Sequence, residues 1–208
     1  MSEFFLELFS EEIPPKLQIE ARETLLNKFK EFFNSENIRF DKVNYSLSTP
    51  NRLIIYFKMI QWEVIKHSKE IRGPNISASE SAIEGFLKSN KIKFNNLYKK
   101  SSEKGEFYFY KTPKKKFKTK DLLQREIPNL LSQIKWKKSM KWGDYDLFWG
   151  RPLKSIMTLY KEKPIIFCFH HLKSSNNTYI DKDFELKKKS FKSFNAYINF
   201  FNSIDIIV

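Results

Sequence analysis

The chain has 208 residues, of which 41% are hydrophobic and 16% aromatic. That is enough for one large domain or two small ones, and too apolar for disorder throughout. Its 38 Lys and Arg against 24 Asp and Glu give a net charge of +14. This balance suits a polyanion such as nucleic acid. A chain crowded with Lys, Asn, Ile and Phe reaches the same balance with no binding role, so charge alone does not establish RNA as a partner. The single cysteine, Cys168, excludes an internal disulfide and a cysteine zinc site. No apolar run approaches the roughly 20 residues of a membrane span. Met1–Phe4 is acidic rather than basic, unlike a signal peptide. The expectation is a cytoplasmic protein with no membrane partner.

In chain order, Phe4 to Phe9 predicts a first strand, which Pro14 and Pro15 interrupt. A helix follows from Leu17, with Ala21, Leu25, Leu26, Phe29, Phe32 and Phe33 on one face, fading at Asn34–Ser35. Tyr45 to Ser48 and Arg52 to Ile60 read as strands joined at Thr49–Pro50–Asn51, the second apolar enough to be covered on both faces. Gln61 to Lys69 extends that strand or adds a neighbour. Gly73–Pro74 marks a turn, and Ser79 to Ser89 a helix with Ser79 or Ser81 as cap. An aromatic strand spans Glu106 to Lys111 after a turn at Lys104–Gly105. A helix opens at Thr119 or Asp121 and runs to about Lys135, with Pro128 a point of kinking. Ser155 to Tyr160 and Pro164 to His170 read as a hairpin across Lys161–Glu162–Lys163, and Phe191 to Phe201 as a last helix. The final Ile204–Val208 reads as a strand cut off from its continuation. Strands and helices mix without a regular βαβ alternation, so the expected class is α+β, mostly antiparallel, with packed helices. The expected division is two subdomains, about 1–110 and 111–208.

The chain has no phosphate-loop and no dinucleotide-binding motif. His67, His170 and His171 do not fall at metal-ligand spacing, and His170–His171 after a strand would point to opposite faces. Cys168, inside Ile165–Phe169, reads as a buried structural thiol. Glu7, Glu11 and Glu12 read either as dipole partners of the following helix or as ion-pair partners for Arg52, Arg72 or a subunit. Trp136, Trp142 and Trp149, interleaved with Lys135, Lys137, Lys138 and Lys141, suit base stacking or closure of a core. The expectation is therefore no catalytic residue and no metal site. Arg52, Arg72, Lys141 and Arg151 are the candidates for RNA contact, with Arg52 reading alternatively as a structural salt bridge that holds the strand entry.

Five short motifs occur in one order: Leu6–Pro15 (LELFSEEIPP), Thr49–Leu53 (TPNRL), Arg72–Gly73–Pro74, Lys141–Trp142–Gly143–Asp144 and Arg151–Pro152. Together they resemble the N-terminal part of the β subunit of bacterial heterotetrameric glycyl-tRNA synthetase. The resemblance covers about residues 3 to 180. Asn51 stands where members commonly carry a second arginine, and Ile180–Asp181 where they often carry a Gly-His pair. The resemblance implies that this chain is an N-terminal fragment of a larger subunit. It implies an assembly of two α and two β chains that joins glycine to tRNA(Gly) using ATP, with ATP and magnesium in the α subunit. The β subunit then contributes tRNA recognition and architecture, and no cofactor is expected in this chain. A stand-alone or decayed RNA-binding module, or an editing-like hydrolytic domain, are the other readings.

Overall fold

The computed structural model describes residues 1–66, 69–102, 105–182 and 185–206. His67, Lys104 and the terminal Ile207–Val208 lie outside the described residues. The chain forms two compact units. One comprises residues 1–64 and 118–208, the other Ile65–Phe117.

Strand β1 (Ser2–Ser10) is the centre of the first unit. Helix α1 (Pro15–Ser35) begins with Pro15 in its first turn, where a missing N–H costs nothing. It ends with Asn37 at φ 57° and Ile38 N–H donating back to Phe33 O at 2.7 Å. Strands β2 (Asn44–Thr49) and β3 (Arg52–Ile60) form the expected hairpin. β4 (Glu63–Lys66) then carries the chain out of this unit.

The second unit contains β5 (Glu70–Asn75), α2 (Glu80–Asn90), β6 (Leu97–Ser102) and β7 (Gly105–Lys111). Its sheet has the order β5–β7–β6, antiparallel throughout. Gly73 lets α2 approach: a Cβ there would lie 3.0 Å from the Phe86 ring and 3.1 Å from Tyr108 O. Ser79 precedes α2 as expected, but its hydroxyl meets Ser81 Oγ rather than a helix N–H.

β8 (Lys115–Lys118) pairs with β4 and leads back into the first unit. Helix α3 (Thr119–Ser132) runs continuously through Pro128, burying Leu122, Leu123, Ile127, Leu130 and Leu131. The short strands β9 (Met140–Lys141) and β10 (Phe148–Trp149) pair with each other, and β11 (Leu153–Tyr160) returns alongside β1. The main sheet therefore has the order β12–β11–β1–β3–β2, where β12 is Lys163–Pro164. This corrects the division at 110/111. The partners of β1 are β3 on one side and β11 on the other, so the segment after Lys118 completes the sheet that the N-terminus began.

The β11–β12 hairpin turns on Lys161 and Glu162, at φ 54° and 59°, the left-handed pair of a type I′ turn. Its return strand is shorter than expected. Ile165, Phe167 and Phe169 are buried while Ile166, Cys168 and His170 are exposed, the alternation of a one-sided strand. Cys168 is thus exposed, not buried as its apolar neighbours suggested. Strands β13 (Cys168–Phe169) and β14 (Leu172–Lys173) bracket His170–His171, which form a turn with His170 at φ 50°.

A hairpin that the sequence did not reveal, β15 (Asn177–Lys182) with β16 (Glu185–Ser190), precedes α4 (Phe194–Ser203). Ser193 Oγ caps α4 by accepting from Ala196 N–H at 3.1 Å. The helix closes with Asp205 at φ 60° and Ile206 N–H donating to Phe201 O at 3.0 Å. Ile204–Ile206 is thus a helix end, not the start of a strand.

The main sheet is covered on both faces, as the apolar run of β3 implied. Phe4, Leu6 and Leu8 with Phe57, Ile55 and Leu53 form one face, against which α1 sets Phe29 (5.4 Å from Phe4) and Phe33 (5.0 Å from Phe57). Phe5, Glu7 and Phe9 with Tyr56, Ile54 and Arg52 form the other. There α4 sets Phe194 and Tyr197 within 5.0 Å and 4.9 Å of Phe5. Each large side chain buried this way contributes about 1.5–3 kcal/mol.

Candidate functional site

Four of the five motifs meet at one place in the first unit. Ser10 N–H donates to Asn51 O at 2.8 Å, Glu11 N–H to Pro152 O at 3.0 Å, and Ile13 N–H to Pro50 O at 2.6 Å. Gln18 Nε2 donates to Ile13 O at 2.6 Å and fixes the entry to α1. Around this crossing lies a cleft of about 570 Å³, with walls from Pro14, Pro15, Pro50 and Pro152, Ile13 and Trp142. Glu11, Glu12 and Arg151 supply its charge. Proline rings fix this shape because they hold the backbone φ and offer no N–H to compete. Trp142 is oriented by donating from Nε1 to Trp149 O at 3.0 Å. Glu11 is tied to Lys154 at 2.5 Å.

Arg52 and Glu7 are placed inside the core. Their Cα atoms are near neighbours because Phe9 pairs with Arg52 while Glu7 stands two residues along the same face. Arg52 Nη1 meets Glu7 Oε1 at 2.7 Å and Thr178 Oγ1 at 3.2 Å, and Nη2 donates to Tyr179 O at 2.7 Å. Phe9 and Phe201 sandwich the guanidinium at 4.5 and 4.7 Å. Thr178 Oγ1 also donates to Glu7 Oε1 at 2.5 Å. Arg52 is only 3% exposed and Glu7 fully buried, so Arg52 has no surface on which to meet RNA, and that expectation is withdrawn. Of the two readings of Glu7, the ion pair is the one realised. Burial raises the Glu7 carboxyl above its ordinary value against the opposing pull of Arg52. Tyr197 lies beside the carboxylate without a well-formed hydrogen bond to it. Burial and the Glu7 charge push its hydroxyl well above the usual phenol range. Thr178, Tyr179 and Tyr197 escaped the sequence reading. Only the tertiary position of β15 and α4 brings them to Arg52.

The other candidates remain at the surface. Arg72, in the second unit, is exposed with its guanidinium 3.6 Å from the Phe107 ring centroid. Lys141 is exposed and pairs with Asp146 at 2.7 Å. Arg151 is half-buried in the cleft with Glu11 and Glu12 and has no ion pair among the described residues. Two tryptophans of this stretch close the core, since Trp149 is buried and Trp136 packs edge-on against it at 5.2 Å, while Trp142 lines the cleft. Gly150 is required by that packing, since a Cβ there would sit 2.3 Å from Trp136 Cε3. His171 stacks on Tyr145 at 3.6 Å, and burial lowers its pKa, with the charge of His170 acting in the same direction. Among the described residues no three His, Cys, Asp or Glu side chains converge as a metal site, and no helix is long and apolar enough to cross a membrane.

The molecule is thus an α+β protein with antiparallel sheets and packed helices. Its buried acid–base pair is architectural, and its motif segments assemble a surface cleft. The chain belongs to the glycyl-tRNA synthetase beta subunit family, whose model matches residues 4–208. It is 34% identical over 199 residues to the glycine–tRNA ligase beta subunit of Rickettsia akari, covering 96% of this chain and 30% of that one. The corresponding subunit of Rickettsia conorii is 35% identical with the same coverage. That of Rickettsia felis is 36% identical over 179 residues, 86% of this chain and 27% of that one. The chain therefore spans about a third of the length of these curated relatives.

Proposed function

We propose that this chain is the N-terminal part of a glycine–tRNA ligase β subunit. In that role it supports tRNA(Gly) recognition and assembly with the α subunit for ATP-dependent glycylation of tRNA. The observation that carries the reading is the convergence of four motif segments on the proline-walled cleft. A mostly apolar cleft with one tryptophan, two carboxylates, of which Glu11 is already paired with Lys154, and one guanidinium fits a protein chain better than a phosphate backbone, because its balanced charges offer phosphate no net attraction. We assign it to the α subunit, with Arg151 a docking residue rather than an RNA contact. Arg72 and Lys141 remain the proposed tRNA contacts, presented on exposed surfaces. ATP and glycine are handled by the α subunit, so no chemical step is assigned to a residue of this chain.

The test is co-expression with the matching α subunit, followed by tRNA glycylation assays. Arg151→Glu should weaken subunit pairing. Arg72→Ala should raise KM for tRNA while leaving pairing intact. Glycine-dependent ATP–pyrophosphate exchange by the 208-residue chain alone would overturn the division of labour.

A further inference from the structure

The fold leaves Trp62 half in solvent, at 50% exposure. Its ring is nevertheless held in place. Nε1 donates to Ser2 Oγ at 2.9 Å, and the Trp62 carbonyl accepts from Thr119 N–H at 2.8 Å. Lys161 Nζ stands 3.6 Å from the ring centroid. A cleft of about 270 Å³ at the ring is lined by Lys118, Lys120, Lys161 and Lys163, with Tyr160 behind and one carboxylate, Glu63. Among the described residues none of these four lysines forms an ion pair. They converge because Lys118 and Lys120 flank the start of α3 while Lys161 and Lys163 flank the left-handed β11–β12 turn.

An indole face beside uncompensated ammonium groups matches one chemistry well. A nucleobase has a π face of any sequence to lay on the ring, and its phosphates lie a few ångströms away on either side. The Lys161 contact shows that the ring face already attracts a cation. An acidic peptide would satisfy the lysines but leave the indole without a planar partner.

We propose that this cleft takes one unpaired nucleotide of an RNA strand, its base on Trp62 and its flanking phosphates on Lys118, Lys120 and Lys163. The natural ligand, tRNA, rests on the reading given under Proposed function. Lys161 slides off the ring to admit the base and stays within reach of a phosphate.

The experiment is titration of a short unstructured oligouridylate into the 208-residue chain, followed by tryptophan fluorescence and by anisotropy of a labelled strand. Binding should quench fluorescence, and Trp62→Phe should remove most of the quench while keeping affinity within a few-fold. Trp62→Ala should weaken binding about tenfold or more, the loss expected when one base is unstacked. The double variant Lys118→Ala/Lys120→Ala, which alters only surface side chains, should weaken binding and lower the salt slope from about 2 to about 0.7, at roughly 0.7 per phosphate contact. Lys88→Ala in α2 should change nothing. Unchanged affinity in both Trp62→Ala and the double lysine variant overturns the proposal. So does poly-glutamate binding as tightly as RNA, which would mark the surface as a protein contact. Quenching through Trp62 in a chain that fails to pair with the α subunit supports the cleft and defeats the glycylation reading. tRNA binding by the complex with no effect of Trp62→Ala defeats the cleft alone.

Discussion

Replacing Arg52 by methionine should destabilise the first unit without touching any exposed surface. Methionine keeps the apolar stem between Phe9 and Phe201 but removes the guanidinium that holds Glu7, Thr178 and the Tyr179 carbonyl. Among the described residues Glu7 Oε2 has no hydrogen-bond partner, so the variant leaves a fully buried carboxylate with Thr178 as its remaining well-formed donor among them. Breaking one side of a buried pair costs about 3–5 kcal/mol, a large share of the roughly 5–15 kcal/mol that keeps a domain folded. For a chain of this size that corresponds to a fall of roughly 6–20 °C in Tm. The double variant Glu7→Leu/Arg52→Met should recover most of the loss, because removing both charges removes the desolvation cost with them. Urea unfolding followed by far-UV circular dichroism measures all three. A loss under about 1 kcal/mol for Arg52→Met, together with weaker tRNA binding, would refute the buried-pair account and return Arg52 to the surface candidates.

Gly150→Ala should cost about 1–3 kcal/mol through overpacking, since its Cβ would fall 2.3 Å from Trp136 Cε3; thermal melting and the near-UV tryptophan signal check it. Because burial raises the Glu7 carboxyl, the native state binds its proton more readily than the unfolded chain. The Glu7 contribution to stability is thus fully present below the ordinary carboxylate value of 4.5 and is lost as pH rises through the raised one. Glu7→Gln should flatten that decline, and stability curves from pH 4 upward would show whether it does. Cys168, being exposed, should react with a thiol reagent in the folded chain. Reaction only after unfolding would restore the buried-thiol reading.

The first half of the main sheet was legible because its signals are local. Pro14–Pro15 ends a strand and opens a helix, the α1 apolar face repeats at helical spacing, and Thr49–Pro50–Asn51 turns the β2–β3 hairpin. α3 was legible despite Pro128 because the apolar spacing on both sides stayed in phase. The Pro164–His170 run misled because apolar neighbours were read as a buried strand, whereas Ile165, Phe167 and Phe169 face the core and Cys168 faces out. The Glu7–Arg52 pair was among the readings the sequence offered, but the Thr178 and Tyr179 contacts of Arg52 were hidden because they lie 126 and 127 positions away and are brought in only by β15. The β15–β16 hairpin and the Trp62 cleft were hidden for the same reason. Their meaning depends on segments that meet only after the chain has returned at Lys118.

The central claim is that the motif cleft docks the α subunit. Size-exclusion chromatography of the chain co-expressed with that subunit tests it most directly. The account predicts that the two elute together, and that Arg151→Glu elutes as separate components while its melting temperature stays unchanged. Separate elution of the unaltered chain while it still unfolds cooperatively, or an Arg151→Glu complex as firm as the original, would contradict it.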